Sequence, residues 1–202
     1  MTSRTAPLFD LFCHPETPAG PTLGISAIAR RRSAGYLELR YVLRANLAAL
    51  SLPAGLTPGR SHGLWRHTCF EAFVCRADET DCLEYNLSPS GDWAAYAFTG
   101  YRAGMSEPAM AEPPEIAVNV HSDSVLELLA VVGLAPLCGS GGFEILRIGL
   151  SAVIETVQGE VSYWALRHGL GGPDFHDRAS FMLEIEPGAA TAHARPRFGR
   201  RG

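Results

Sequence analysis

From Leu64 to Cys75 the chain reads LWRHTCFEAFVC, and the fold turns on whether its His, Cys and Glu form a reactive cluster or decorate one face of a β-strand. Read with the two-residue period of a strand, the side chains divide cleanly. Leu64, Arg66, Thr68, Phe70, Ala72 and Val74 take one face; Trp65, His67, Cys69, Glu71, Phe73 and Cys75 take the other. Cys69 and His67 then sit at adjacent same-face positions, about 6.5 to 7 Å apart along the backbone, too far for direct proton transfer. The next run, Cys82 to Leu87, follows the polar turn RADETD and alternates in the same way, with Cys82, Glu84 and Asn86 opposed to Leu83, Tyr85 and Leu87. Paired as a hairpin, the two runs bring Glu71 toward Glu84 or Asn86, because cross-strand neighbours have Cβ atoms about 5 Å apart. After the turn SPSGD, the run WAAYAF adds Trp93 and Tyr96 nearby.

Outward from this hairpin the alternation continues. In Gly35 to Arg44, Leu37, Leu39, Tyr41 and Leu43 oppose Glu38, Arg40 and Arg44; in Phe143 to Glu155, Leu146, Ile148, Leu150, Ala152 and Ile154 oppose Arg147, Ser151 and Glu155. Ser180 to Glu186 sets Phe181, Leu183 and Ile185 against Glu184 and Glu186, and Val125 to Leu134, nearly continuous in Val and Leu, reads as a central strand covered on both faces. Gly and Pro loops such as LPAGLTPG, AEPPE, CGSGG and HGLGGPD punctuate the runs, and no segment of 12 or more residues repeats convincingly at the helical period. These features predict an all-β fold, an antiparallel β-sandwich.

The ordered set LWRHTCFEAF, LEYNLSPSGDWAAYAFTGYRAGM, LSAVIET, SYWALRH and PDFH resembles the bacterial DOMON-like proteins, relatives of the family nine carbohydrate-binding modules. The resemblance runs from Leu64 to the final strand. It implies a sandwich of immunoglobulin-like or jelly-roll type that binds either a sugar between aromatic rings or a haem between axial side chains. With 202 residues the chain is long enough to bury one core, and a single domain is expected over residues 1–186, followed by a disordered basic tail over 187–202.

Composition narrows the function. The net charge is −4, and all 17 basic residues are Arg with no dominating block, so neither a nucleic-acid groove nor a membrane surface is expected as partner. The total absence of Lys has a plain source in GC-rich coding. Five Cys (Cys13, Cys69, Cys75, Cys82, Cys138) are an odd number without a CxxC pair, which predicts reduced thiols rather than a disulfide framework or a zinc site. No export signal precedes the first strand-like run and no apolar stretch reaches about 18 residues, so a cytoplasmic location is expected.

A sugar needs flat aromatic faces for its CH groups and planar polar groups for its hydroxyls. Trp65, Trp93, Tyr96, Tyr101, Tyr163 and Trp164 are the candidates for the first, and His67, Glu71, Glu84, Asn86, Arg102 and His168 for the second. For any single Trp or Tyr, core filling is the simpler role, so convergence in one concave patch is the deciding observation. The haem alternative requires two axial donors, for which Met105 or Met110 with His67, His121, His168 or His176 are available; there is no CxxCH for covalent attachment. Asp174 and His176 match no metal signature and are suited to locking the GGPDFH loop by hydrogen bonds. Structural calcium enters only through the resemblance. Glu71 and Glu84 have the composition of a glycosidase pair but not its motif. The expectation is a non-catalytic domain without a required cofactor that binds a small molecule, a sugar or sugar-containing metabolite, with a protein-interaction module as a further alternative. The oligomeric state is left open.

Overall fold

The structure is a computed structural model that describes residues 8–33, 35–55, 57–138, 145–186 and 193–194. Twelve strands are present among them: β1 (Phe9–Cys13), β2 (Thr22–Ser33), β3 (Tyr36–Ala45), β4 (Cys69–Arg76), β5 (Cys82–Leu87), β6 (Trp93–Phe98), β7 (Glu115–Ser122), β8 (Val125–Gly133), β9 (Leu146–Glu155), β10 (Val161–Ala165), β11 (Leu183–Ile185) and β12 (His193–Ala194). One helical turn, α1 (Ala135–Cys138), follows β8.

Every pairing between these strands is antiparallel, in the order β6-β5-β4-β9-β10-β1-β2-β3-β8-β7, with β11 also on β9 and β12 on β11. The path folds into two layers at β1. Its residues Phe9, Asp10 and Leu11 pair with β2, whereas Phe12 and Cys13 pair with β10. One strand thus hands the chain from the first sheet to the second, and the inner faces of both share a single apolar core. This is the expected antiparallel sandwich.

The alternation read from the sequence places that core. Leu37, Leu39, Tyr41 and Leu43 on β3 are buried, as are Leu146, Ile148, Leu150, Ala152 and Ile154 on β9 and Phe70, Ala72 and Val74 on β4. Tyr41 crosses the sandwich, its hydroxyl donating to the backbone carbonyl of Glu71 at 2.6 Å, so a core side chain of one sheet ties down the strand that carries the opposite sheet's acid. The Tyr85 hydroxyl of β5 donates in the reverse direction to the Gly133 carbonyl.

Four sequence expectations are corrected here. Leu64 to Cys75 is not one strand: Leu64–Arg66 is a 3₁₀ turn entered through Gly63 in the left-handed region, closed by Arg66 and His67 amides on the carbonyls of Gly63 and Leu64, and the strand begins only at Cys69. Arg178–Ser180 is likewise a 3₁₀ turn, and the strand expected from Ser180 starts at Leu183. Strand β8 is not covered on both faces: Leu126, Leu128, Ala130 and Val132 are buried, while Leu129 and Val131 alternate with them at intermediate exposure. Finally, Cys75 and Cys82 are joined in a disulfide. The hairpin register that sets Glu71 opposite Asn86 sets Cys75 opposite Cys82, with Cα atoms 4.2 Å apart, the close spacing of a non-hydrogen-bonded antiparallel pair. Cys13 and Cys69 are free. Disulfides persist mainly in oxidising compartments, so this bond and the expected cytoplasmic location pull in opposite directions.

Of the expected tail, His193–Ala194 pair with β11; the rest of 187–202 lies outside the described residues. Among the described residues no helix is long and apolar enough to cross a membrane.

Candidate functional site

The outer face of the β6-β5-β4-β9-β10 sheet is where the core pattern runs out of apolar partners. With Phe70, Ala72 and Val74 of β4 turned inward, Glu71 and Phe73 must point outward. Glu84 on β5 stands opposite Phe73 and opposite Tyr96 of β6. Val153 of β9 and Tyr163 of β10 face one another in register. Together these residues form the floor of an open cavity of about 500 Å³.

Three connecting segments raise its walls. Trp65 comes from the 3₁₀ turn before β4; Arg102 and Met105 come from the loop after β6; Pro173, Phe175 and His176 come from the segment between β10 and β11. Phe98 closes the side between them. The rings meet mostly edge to face, the favoured arrangement for aromatic quadrupoles: Trp65 on Tyr96 at 5.8 Å, Tyr163 on Phe175 at 6.0 Å, and His176 against Phe73 at 5.0 Å and Phe98 at 4.8 Å.

Local chemistry holds each wall. The Asp174 carboxylate accepts from the Tyr101 hydroxyl at 2.6 Å, from Arg102 at 2.9 Å and from the His176 amide at 3.0 Å, joining two loops that are 72 residues apart in sequence. Burial pushes that carboxyl up, but these bonds and the guanidinium charge outweigh it and hold it below the ordinary carboxylate range. Gly104 permits the first loop. Its φ is +63°, and a Cβ there would collide with the Thr99 side chain. Below the floor, Gly149 lets Phe181 lie against β9, since an added Cβ would sit 2.5 Å from the ring. Phe181 in turn stacks on Phe73 at 5.7 Å.

Glu71 and Glu84 dominate the electrostatics. Glu71 is 3% exposed and its Oε1 has no hydrogen-bond partner among the described residues. Burial, followed by the neighbouring charge of Glu84, pushes its carboxyl well above the usual range. Glu84 accepts from Asn86 Nδ2 at 2.6 Å and has His176 Nε2 at 3.5 Å from Oε2. Burial raises its pKa, while the Asn86 bond and the Arg102 charge pull it the other way without cancelling the rise. Burial and then the Arg102 charge hold the His176 imidazole below its ordinary value.

Trp65, Glu71, Glu84, Tyr96, Tyr163 and Arg102 of the sugar candidates converge here, together with Met105 and His176 of the haem candidates. Asn86 is fully buried, as the donor that orients Glu84. The other sugar candidates are outside the lining, Tyr101 as a donor to Asp174. Trp93 and Trp164 are buried in the core; Trp93 is three residues from Tyr96, and an odd spacing on a strand puts two side chains on opposite faces. Trp164 is next to Tyr163 and opposes it for the same reason, its indole donating to Ser162 Oγ at 2.9 Å. His67 leaves the face because the chain turns before Cys69, and its Nδ1 meets Glu155 Oε2 at 2.9 Å. His168 is bonded through Nε2 to the Phe12 carbonyl at 2.8 Å, beside Phe175 but outside the lining.

Phe73, Phe98, Val153, Pro173 and Phe175 complete the site. Phe73 and Phe98 were legible, by parity with Glu71 and Tyr96. Pro173 and Phe175 were not: Asp174 and His176 were suited to locking the GGPDFH turn onto the sheet, but nothing local says which part of the sheet that turn covers. Cys69 is buried beneath Glu71 with its thiol near Asn86 Oδ1 at 3.8 Å, and burial holds it protonated. Among the described residues no group of three or more His, Cys, Asp or Glu converges as metal ligands.

Fold and site together define an antiparallel β-sandwich that carries one aromatic-walled, carboxyl-floored pocket on an outer sheet face. No known family model and no curated protein matches the chain. Among solved structures it is similar to a protein from Bacteroides uniformis ATCC 8492 described as a "putative carbohydrate-binding protein", at 14% identity and a TM-score of 0.61 over 86% of this chain and 82% of that one. Two structures of a family 9 carbohydrate-binding module from Caldicellulosiruptor kristjanssonii also match. One, in complex with cellotriose, gives a TM-score of 0.47 at 10% identity over 82% of this chain and 74% of that one. The other, in complex with glucose, gives 0.45 at 11% identity over 83% and 84%. At these identities the likeness is one of fold.

Proposed function

We propose that the chain is a non-catalytic carbohydrate-binding domain whose ligand enters the pocket over Glu71 and Glu84. The observation that carries this reading is the pairing of opposed chemistries in one concavity. Trp65, Tyr96, Phe98, Tyr163 and Phe175 offer ring faces and edges to CH groups, while Glu71, Glu84 and Arg102 offer hydrogen-bonding groups to hydroxyls. The carbohydrate-binding description of the Bacteroides uniformis protein, which shares the fold, supports it.

Binding without turnover suits the groups present. Both carboxyls are held toward the neutral form, whereas a glycosidase needs one of its pair ionised as nucleophile or base. Haem is the weaker alternative. Met105 and His176 both line the pocket, but His176 Nε2 faces Glu84, and two buried carboxyls are poor neighbours for an apolar macrocycle.

The test is a panel of mono- and disaccharides followed by thermal shift. A ligand at 100 times its Kd adds about 2.7 kcal/mol to stability. A positive result that Trp65→Ala abolishes supports the reading. A panel without any shift, or a Soret band gained on haem titration, overturns it.

A further inference from the structure

The carboxyl floor says more about the ligand than that it is a sugar. Glu71 is nine-tenths buried or more and lines the pocket, and its Oε1 has no hydrogen-bond partner among the described residues. Glu84 stands one strand away, and the Ser151 hydroxyl, opposite Glu71 on β9, is also buried without a partner. A neutral sugar could use one such acceptor. Two adjacent carboxyls at the bottom of a ring-lined cavity are the arrangement that suits a cation, which would pair with both and be further held by aromatic faces.

The cations already in the site supply this charge only in part, through the pull of Arg102 on Glu84. The Arg102 guanidinium is bonded to Asp174, so that pair is close to neutral as a unit. His176 is held toward its uncharged form by burial. Once Arg102 and Asp174 are set against each other, Glu71 and Glu84 are the pocket's unbalanced acids. We propose that the pocket takes a sugar bearing a protonated amine, with the ammonium group seated between Glu71 and Glu84 and the ring against Trp65 and Tyr96. This rests on the sugar-binding reading and narrows its ligand class.

Proton linkage follows from the same geometry. The titratable and charged groups around the two acids are Tyr41 on β3, Cys69 on β4, Tyr96 on β6, Arg102 from the β6–β7 loop and His176 from the β10–β11 segment, with Tyr163 of β10 lining the same pocket. In the empty pocket burial and the Glu84 charge raise the Glu71 carboxyl toward its protonated form; an ammonium placed against it favours the ionised form, so binding shifts the carboxyl toward releasing its proton to solvent. A neutral sugar expels none.

The experiment is calorimetric titration of the full chain near neutral pH with D-glucosamine, D-glucose and N-acetyl-D-glucosamine, each in two buffers of different ionisation enthalpy. The expected result is that glucosamine binds at least about tenfold more tightly than either neutral sugar with net proton release, and that Glu71→Gln and Glu84→Gln each reduce the preference. Two substitutions are used because Glu71 is the more deeply buried, and each variant's melting transition is checked first. A preference below tenfold, or one that survives both substitutions in folded protein, overturns the amine inference while leaving sugar binding intact. Failure of all three to bind overturns it as well, and the wider panel above then decides the sugar reading separately.

Discussion

Glu71 and Glu84 project from the two strands of one hairpin into the same pocket, one step out of register: Glu71 is paired with Asn86, Glu84 with Phe73, and Asn86 donates to Glu84 at 2.6 Å. The offset brings two acids close while leaving only one of them with an amide donor. Both carboxyls are raised, chiefly by burial and for Glu71 also by the charge of Glu84, and the sign of the consequence for stability is definite. A folded state that keeps protons which the unfolded chain has released is favoured at low pH, and its advantage is lost as pH climbs from the unfolded carboxylate value through the raised folded one. The protein is expected to lose stability over that window by up to about 1.4 kcal/mol per pH unit for each retained proton. Glu71→Gln flattens the decline. Urea midpoints measured from acid to neutral pH on both proteins check this; parallel curves would sink it.

Trp65 and Trp93 separate binding from folding. Trp65 is 39% exposed and stands at the rim, whereas Trp93 and Trp164 are core. Trp65→Ala is expected to cost about 1 kcal/mol or less and to remove ligand binding. Trp93→Ala or Trp164→Ala is expected to cost about 3–5 kcal/mol, as loss of a buried aromatic does. Denaturant unfolding distinguishes them, and a loss of several kcal/mol for Trp65→Ala would refute its place in the site.

The Cys75–Cys82 bond closes a short loop of sequence separation 7. Restricting so small a loop in the unfolded chain contributes about 2–3 kcal/mol. A reductant should lower the unfolding free energy of the native chain, extrapolated from urea melts, by that amount and leave Cys75→Ser unchanged. Equal midpoints with and without reductant would mean that the bond contributes nothing measurable.

Gly149 is a packing requirement rather than a conformational one. Its missing Cβ leaves room for the Phe181 ring, which stacks on the pocket-floor residue Phe73. Gly149→Ala is expected to destabilise by about 1–3 kcal/mol and to weaken ligand binding by displacing Phe73. Unchanged affinity in a destabilised variant would separate the packing effect from the site.

Asp174 ties the loop of Tyr101 and Arg102 to the segment of Phe175 and His176. Asp174→Ala is expected to weaken ligand affinity about tenfold or more by loosening both walls, with a smaller effect on the urea midpoint than Gly149→Ala. Affinity unchanged from the native chain would mean that the walls are positioned without this tie.

Alternation along the chain was enough to place much of the structure. Period-two patterns identified β3, β4, β5 and β9, near-continuous Val and Leu marked β8 without its alternating faces, and the alternation assigned Phe70, Ala72 and Val74 to the core and Glu71 and Phe73 to the other side. The same rule, applied consistently, excludes Trp93 and Trp164 from a face that holds Tyr96 and Tyr163, and the hairpin register implies the disulfide. Those features were present in the sequence and needed only the pairing rule.

What the sequence by itself determined is the sandwich, the inward and outward face of its strands, and the acidic hairpin at the centre of the site. Only the tertiary structure decided that the PDFHD segment returns over that hairpin, that Arg102 is committed to Asp174, and that Glu71 is buried with its Oε1 lacking a hydrogen-bond partner among the described residues. The physical reason is range. Strand faces follow from steric alternation between neighbouring residues, whereas loop closure, ion-pair choice and carboxyl burial depend on groups brought together from more than 70 residues away in the chain.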